Sequence, residues 1–199
     1  MTETRIRPED ARPMLAGIKA SRSNGAKLPQ SPTLDTINRI VGKLHREVRY
    51  TGIEFGSARL IPEFPSETLR RRFGDCKDKS TLLVAALRAS GIEAYLALLS
   101  AGDDQDVSAE LPGLGMFNHA IVYVPGVNGG KDLWIDATAE YTRVGTLPAQ
   151  DSDRLALIIR PGTNALTRTP ALRAAATSYG VSPIITASVG EAFARCSAA

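Results

Sequence analysis

The sequence has few of the residues on which secreted and metal-rich proteins depend. Its 199 residues include two cysteines and two histidines: Cys76, Cys196, His45 and His119. Two cysteines cannot build the disulfide framework of a small secreted domain, and so few ligand residues argue against a multi-metal protein. A zinc site made from all four is an alternative by count. Because they lack the short local spacing of zinc motifs, we expect no metal and no cofactor.

Long apolar segments are also missing. The best candidate, residues 82–99, is interrupted by Arg88 and Glu93 and falls short of the ~20 apolar residues that a membrane helix needs. The first ten residues are charged and no apolar stretch follows them, so no signal peptide is visible. We therefore expect a soluble chain without membrane insertion. The sequence leaves its compartment and its oligomeric state open.

Net charge is small as well, at +3, with a pI of about 9.0. Three consecutive arginines, Arg70, Arg71 and Arg72, could contact phosphate, but no aromatic residues are interleaved with them. We interpret them as a solvated cluster beside a site and expect no nucleic-acid partner. The content of 43% hydrophobic and 23% charged residues is typical of a globular protein.

The chain divides into three parts by its residue patterns. Residues 1–33 are rich in Arg, Pro and Ser, so we expect a flexible N-terminal arm with a short helix around Ala11–Ala20. Residues 34–160 carry the periodic patterns of a folded core. Residues 161–199 are rich in Thr and Ala with weak patterning, and we interpret them as a linker or truncated C-terminal tail.

Two helices and four strands are predicted within the core. The first helix begins at the N-cap Ser31 and runs to about Arg49, with apolar residues at intervals of three and four: Leu34, Ile37, Ile40, Val41, Leu44 and Val48. The second helix follows the N-cap Asp75, has Asp78 as a capping-box acid, and ends before Gly91. We predict strands, a loop and a turn over these ranges: strands 92–99, 117–124, 133–137 and 155–159, loop 57–69, turn 125–130.

Cys76 opens the second predicted helix. Unpaired N–H groups and the positive end of the helix dipole surround a residue in that position. Arg72, Lys77 and Lys79 add positive charge nearby. Such surroundings favour the thiolate, which is the nucleophilic form of cysteine. A lone cysteine is otherwise commonly a small buried filler, so its position by itself leaves both interpretations open.

His119 lies within a predicted strand, where alternation places it on one face with Ile121. A hairpin whose turn centres near Val127–Asn128 sets His119 directly opposite Asp136. The same register pairs Ile121 with Trp134. A carboxylate beside the imidazole can accept its N–H, fix its tautomer and stabilise the charged ring. The alternative is that Asp136 only caps the turn after its own strand.

These three residues form a Cys–His–Asp constellation of the kind used in nucleophilic catalysis. The thiolate of Cys76 would attack an amide or ester carbonyl, and the imidazolium of His119 would donate a proton to the leaving amine. The backbone N–H of Cys76 can serve as one donor to the oxyanion. Tyr50, which precedes the nucleophile, is our candidate for the second donor.

Three segments carry a family resemblance: RRFGDCKDKSTLL at 71–83, FNHAIV at 117–122 and WIDAT at 134–138. They resemble the core motifs of the transglutaminase-like superfamily. GDCKDK is most similar to a bacterial branch in which this core follows a β-rich domain of unknown function. The segment YTGIEFG at 50–56 resembles the one that such proteins carry before the cysteine motif. The resemblance covers residues 34–160.

The resemblance implies a papain-like α+β fold, in which a central helix carries the nucleophile and packs on an antiparallel sheet. It also implies that Cys76 is the nucleophile, His119 the general acid and base, and Asp136 the orienting acid. Some members cross-link glutamine to lysine, others hydrolyse peptide bonds, and some have lost the triad. This sequence retains all three residue types.

We therefore expect a cysteine acyl-transfer enzyme that acts on peptide or isopeptide amides through a thioester on Cys76. Its partner would be a protein or peptide substrate. The alternative is a catalytically silent module that holds an extended peptide in the same cleft. The sequence does not choose between water and a lysine amine as acyl acceptor, because that depends on how the folded site shields the thioester.

Overall fold

The computed structural model describes residues 3–18, 32–52, 61–102, 105–108, 110 and 113–172. The helices are α1 (Pro8–Leu15), α2 (Pro32–Glu47), α3 (Pro65–Arg71) and α4 (Cys76–Ala89). The strands are β1 (Arg49–Tyr50), β2 (Phe73–Gly74), β3 (Tyr95–Leu99), β4 (His119–Asn128), β5 (Lys131–Ile135), β6 (Leu155–Ile159) and β7 (Thr167–Arg168). Single 3-10 turns cover Glu3–Arg5, Leu114–Met116 and Ala149–Asp151.

The described strands form an antiparallel sheet in the order β5-β4-β3-β6-β7, and β1 pairs with β2 as a short parallel ribbon. The main core lies between the helices and one face of this sheet, where Leu83 of α4 is buried with Val122 and Ile135. The other face carries a smaller cluster that includes Tyr123 and Trp134. The predicted α+β fold, with the cysteine-bearing helix on an antiparallel sheet, is confirmed.

Helix α4 is the central element and begins where the sequence predicts. The Asp75 carboxylate accepts hydrogen bonds from the backbone N–H groups of Lys77 (2.8 Å) and Asp78 (3.0 Å), which satisfies two of the unpaired donors at the helix start. The helix ends at Ala89, and Gly91 just beyond it has a φ of +75°, the left-handed conformation that glycine adopts without strain. Because its side chains from Ser80 to Leu87 are all buried, α4 has no solvent face over that stretch.

Helix α2 packs its predicted apolar face against α4. Ile37, Ile40 and Leu44 are fully buried in the main core, as the intervals of three and four require. The predicted N-cap, Ser31, lies outside the described residues. The periodicity therefore located this helix correctly and fixed which of its faces points inward.

The N-terminal segment differs from the flexible arm that we expected over residues 1–33. Within it, α1 begins at Pro8, and Ile6, Ala11 and Met14 are buried in the main core. A lysine of α2, Lys43, donates a 2.7 Å hydrogen bond to a backbone carbonyl just after α1. The short helix predicted around Ala11–Ala20 overlaps α1, which begins earlier in the chain. The burial of α1 was not predicted, because eight helical residues offer too few apolar positions for a periodic signal. The remaining domain boundaries stay predictions.

The β4–β5 hairpin is longer than predicted. Strand β4 continues through the residues assigned to a turn, and the chain reverses at Gly129 and Gly130, whose φ values are +63° and +81°. Positive φ at both central positions is typical of the tight turns that join twisted strands. An irregularity in the ladder between Val124 and Asn128 accommodates the extra length. The predicted turn centre was therefore placed too early in the chain.

The register of this hairpin differs from the prediction by two residues. Tyr123, rather than Ile121, pairs with Trp134, and their ring centroids lie 4.9 Å apart. A slip of one residue would have moved every side chain to the opposite face, whereas a slip of two preserves the faces. His119 and Asp136 consequently remain on one side of the hairpin as diagonal rather than directly opposed neighbours.

Two further segments differ from the sequence-based prediction. The predicted loop 57–69 contains the first residues of α3, which starts at Pro65 because proline suits the first position of a helix. The described part of the predicted tail, residues 161–172, adds β7 to the edge of the sheet beside β6.

Candidate active site

Cys76 is the first residue of α4 and lies against the end of the sheet at which β4 begins. Its side chain is buried, with 4% of the residue exposed, and it forms no disulfide. One turn later in the helix, the Ser80 hydroxyl donates a 2.8 Å hydrogen bond to the carbonyl oxygen of Ala120. Since Ala120 follows His119, this bond joins the helix of the cysteine to the strand of the histidine.

His119 and Asp136 meet as a close pair. The Nε2 atom of His119 lies 3.3 Å from Oδ1 of Asp136, and both side chains are more than 90% covered. Nε2 has no aligned hydrogen-bond partner among the described residues, so this contact is an ion pair rather than a linear hydrogen bond. The same Oδ1 accepts hydrogen bonds from the backbone N–H and the hydroxyl of Thr138, each at 2.8 Å.

Two interpretations of Asp136 were open from the sequence, a turn cap and a partner of His119, and the structure shows both contacts. Asp136 caps the turn that follows β5 through Thr138, and it also faces the imidazole of His119. The two hydrogen bonds from Thr138 hold the carboxylate in place, which orients it toward the ring.

The electrostatics of the site favour a protonated histidine. Burial opposes charge on the ring of His119, but its close contacts with Asp136 and Cys76 outweigh burial and raise its pKa to about 10. Burial alone would also raise the pKa of Asp136. The contact with His119 and the two bonds from Thr138 instead hold it below its ordinary value. At neutral pH the pair is therefore imidazolium and carboxylate.

A second carboxylate, that of Asp151, faces the same imidazole. Asp151 ends the 3-10 turn between β5 and β6 and is fully buried, and its Oδ2 lies 3.9 Å from Nε2 of His119. Burial raises its pKa to about 7, with a further contribution from Asp136 and opposition from His119 and Arg154. Asp151 was not predicted from the sequence, because it lies in a stretch without helical or strand periodicity.

The carboxylates and the ring form a compact group of charges. One oxygen each from Asp136 and Asp151 and one ring nitrogen from His119 lie within 4.8 Å of one another. The imidazolium supplies the positive charge that these carboxylates need, so we interpret the group as an ion-pair cluster rather than as a metal site. The alternative zinc site would also need His45 and Cys196. His45 belongs to α2, and Cys196 lies outside the described residues.

The remaining residues singled out from the sequence are Tyr50 and the arginines that precede Cys76 in the chain. Tyr50 lies in β1 and pairs with Gly74, two residues before the cysteine, and its role as an oxyanion donor stays a prediction. Arg70 is exposed and forms a bidentate pair with Glu67, whereas Arg71 is half-buried between Glu67 and Asp78. Two of the three arginines of the cluster are thus engaged in local ion pairs.

Comparison with protein families identifies the class. The family model of the transglutaminase-like superfamily matches residues 21–139, which is more than half of the chain. The chain therefore belongs to the transglutaminase-like superfamily, as its three motifs predict. A search of curated proteins found no match.

Two solved structures resemble this chain at low identity. One is described as a candidate protease from Parabacteroides distasonis: 18% identity, TM-score 0.45, covering 64% of this chain and 22% of that one. The other is described as a candidate cysteine protease from Cytophaga hutchinsonii: 18% identity, TM-score 0.46, covering 69% of this chain and 40% of that one. The chain thus spans less than half of the length of either, and the family assignment rests on the family model.

Among the described residues, no helix has the length and apolar character that crossing a membrane requires.

Proposed function

We propose that this protein is a cysteine acyl-transfer enzyme that cleaves amide bonds of peptides or proteins through a thioester on Cys76. The observation that carries the proposal is the position of His119 between the cysteine and the carboxylate of Asp136. The ring lies 3.3 Å from Asp136, and Asp136 and Cys76 together raise the pKa of His119 to about 10. A buried imidazolium beside a thiol supports an ion pair in which the sulfur is ready to attack.

The proposed reaction has two steps. In the first, the sulfur of Cys76 forms a bond to the amide carbon, the carbon–nitrogen bond breaks, and the proton of His119 goes to the leaving amine. In the second, water or an amine attacks the thioester and returns a proton to His119, and the carbon–sulfur bond breaks. Asp136 orients the ring through both steps and stabilises its positive charge whenever the ring carries the proton. Because Nε2 faces Asp136, the other ring nitrogen is the one that serves the sulfur.

Backbone geometry at the start of α4 supports stabilisation of the intermediate. The N–H of Cys76 belongs to the first turn of the helix, where backbone donors have no intrahelical acceptor and the helix dipole is positive. A developing oxyanion at the substrate carbonyl would meet this end of the helix.

The decisive experiment is to trap the acyl group. The protein is mixed with a peptide library and quenched in acid, and its peptides are examined by mass spectrometry for an acyl adduct on Cys76. Cys196→Ala is the matched control because it removes the second of the two cysteines, and it should retain the adduct. Cys76→Ala should abolish it. An adduct on neither cysteine, with no amide cleavage, would contradict the proposal.

The alternative of a silent peptide-binding module makes the opposite prediction. Peptide binding would then survive Cys76→Ala, and the unmodified protein would show no turnover. We favour the enzyme because a binding module has no need for a buried Cys–His–Asp cluster with a protonated ring.

A further inference from the structure

We propose that Asp151 is a second acidic residue of the site, a positioning residue that acts on Cys76 only through His119. This inference rests on the proposed function and deepens it. Asp151 is fully buried, yet neither of its carboxylate oxygens has a hydrogen-bond partner among the described residues. A carboxylate that is buried without partners is costly, so a nearby charge must compensate for it.

The contacts of Asp151 divide between its backbone and its side chain. Its carbonyl oxygen accepts a 2.6 Å hydrogen bond from the Thr169 hydroxyl, which anchors the 3-10 turn. The carboxylate takes no part in that anchoring and instead lies 3.9 Å from Nε2 of His119. The backbone of Asp151 thus holds the residue in place, and its carboxylate faces the imidazole of His119.

Two buried carboxylates facing one imidazolium cannot both ionise without cost. The ring balances the charge of one of them, and the second then repels the first. Protonated, Asp151 can donate its O–H to Asp136, whose Oδ2 also has no partner among the described residues. Ionised, Asp151 adds a second negative charge beside the ring and holds the ring proton more firmly.

The charged groups that face Asp151 come from three elements. They are His119 at the start of β4, Asp136 after β5, and Arg154 just before β6. Burial raises the pKa of Asp151 to about 7, which places the change between its two states within the physiological range. The acidity of the His119 ring, which faces Cys76, then changes with the charge on Asp151.

The test measures the ring of His119 directly by NMR in the full-length protein labelled with ¹⁵N. Only two histidines are present, so His45→Gln assigns the signals. We expect an inflection in the His119 shifts near pH 7, followed by the main titration near pH 10. Asp151→Asn should remove the inflection and lower the pKa of His119 by about one unit, as loss of an anion within ~4–6 Å does.

Asp153→Asn is the matched control, because that carboxylate is two residues away, largely exposed and directed at Arg168. It should retain both titrations. An inflection that persists in Asp151→Asn, or that is absent from the unmodified protein, would overturn the proposal. If Asp151→Asn does not fold, ¹³C NMR of carboxyl carbons in the unmodified protein decides. A carboxyl that titrates near pH 7 together with the His119 ring supports the proposal, and the lack of one refutes it.

A second measurement links Asp151 to the nucleophile. Alkylation of Cys76 by iodoacetamide, followed by mass spectrometry from pH 5 to 9, should accelerate through pH 7 in the unmodified protein and lose this feature in Asp151→Asn. The reason is that the ionised Asp151 holds the proton more firmly on the His119 ring, so that this proton is shared less with the sulfur. An identical profile in both proteins would refute the positioning role. Because neither measurement requires turnover, a missing thioester would refute the proposed function separately.

Discussion

Ser80 and Ala120 connect the two halves of the candidate active site. The hydroxyl of Ser80 donates a 2.8 Å hydrogen bond to the carbonyl of Ala120 from a fully buried position. Ser80 lies one helical turn after Cys76, and Ala120 directly follows His119. The bond therefore fixes how the nucleophile and the imidazole stand relative to each other, although neither partner belongs to the reacting groups.

Replacing Ser80 by Ala should weaken both stability and reactivity. The buried carbonyl of Ala120 would lose its side-chain donor, which costs about 1–3 kcal/mol in the free energy of unfolding. Loosening the Cys76–His119 geometry should also slow alkylation of Cys76 by about tenfold. Thr81→Val is the matched control, because the buried hydroxyl of Thr81 has no hydrogen-bond partner among the described residues. Urea unfolding and alkylation rates of the two variants should diverge, and equal losses would argue against the link.

Asp136→Asn should remove the negative charge of this residue while retaining its role as a turn cap. The amide oxygen can still accept the bonds from Thr138, but the anion beside the ring is lost. We expect the pKa of His119 to fall from about 10 by about 1–3 units and amide cleavage to fall by about 100-fold or more. Side-chain NMR and a peptide-cleavage assay measure the two effects. Asp132→Asn is the control, because Asp132 lies in β5, which precedes Asp136, but is bonded to Tyr123. It should leave the pKa of His119 unchanged, and an equal fall there would contradict the specific role of Asp136.

Local sequence signals were sufficient for the helix that bears the nucleophile. An aspartate N-cap, an apolar stripe and a terminal glycine located α4, because each acts within a few residues of chain. The alternation of the hairpin also placed His119 and Asp136 on one face despite the wrong register. The face depends only on whether residue positions are odd or even, whereas the register depends on the turn.

Features that arise from tertiary packing could not be predicted from the sequence. The burial of Met14 and the approach of Asp151 to His119 are both contacts between residues far apart in the chain, and no local pattern encodes them. The short α1 and the turn at Ala149–Asp151 lack enough residues for a periodic signal. A short helix near α1 was predicted, but its burial and the turn at Ala149–Asp151 depend on partners that only the fold brings close.

Gly74 should tolerate no side chain. A Cβ at this position would lie 2.6 Å from Cβ of Asp78 and 3.3 Å from Cγ2 of Thr68, closer than atoms pack without moving. Gly74→Ala would push β2 away from the start of α4, and we expect a loss of about 1–3 kcal/mol in unfolding free energy. Gly113→Ala is the control, since nothing approaches its added Cβ within 4 Å. Thermal melts compare the two, and an unchanged melting temperature in Gly74→Ala would refute the close-packing argument.

Lys79 of α4 is a fully buried lysine that contacts two other segments of the chain. Its Nζ donates a 2.8 Å hydrogen bond to the carbonyl of Val48 and lies 3.8 Å from Glu140. Burial lowers its pKa, against the opposing charges of Glu140 and Asp136. Lys79→Met keeps the length of the side chain but leaves that carbonyl without its side-chain donor, so we expect urea unfolding to show about 1–3 kcal/mol of destabilisation. Lys131→Met, at an exposed position, should change stability by less than about 0.5 kcal/mol.

The titration of His119 should make folding stability fall at alkaline pH. Its pKa in the folded protein, about 10, lies above the ordinary value of 6.5, so the folded state binds the proton more tightly than the unfolded state. This contribution is fully present below pH 6.5 and is lost as the pH rises to about 10. His119→Gln should be less stable at pH 6 and should lose this part of the slope.

The comparison of His119→Gln with the unmodified protein isolates this ring from the other titrating groups, because those groups are common to both proteins. Urea unfolding at intervals from pH 6 to pH 10 should show the two stabilities converging as the pH rises. The convergence follows from the loss of the imidazolium, after which the histidine no longer balances Asp136 in the unmodified protein. Parallel curves would mean that His119 titrates at its ordinary value, and the ion pair with Asp136 would then not exist at neutral pH.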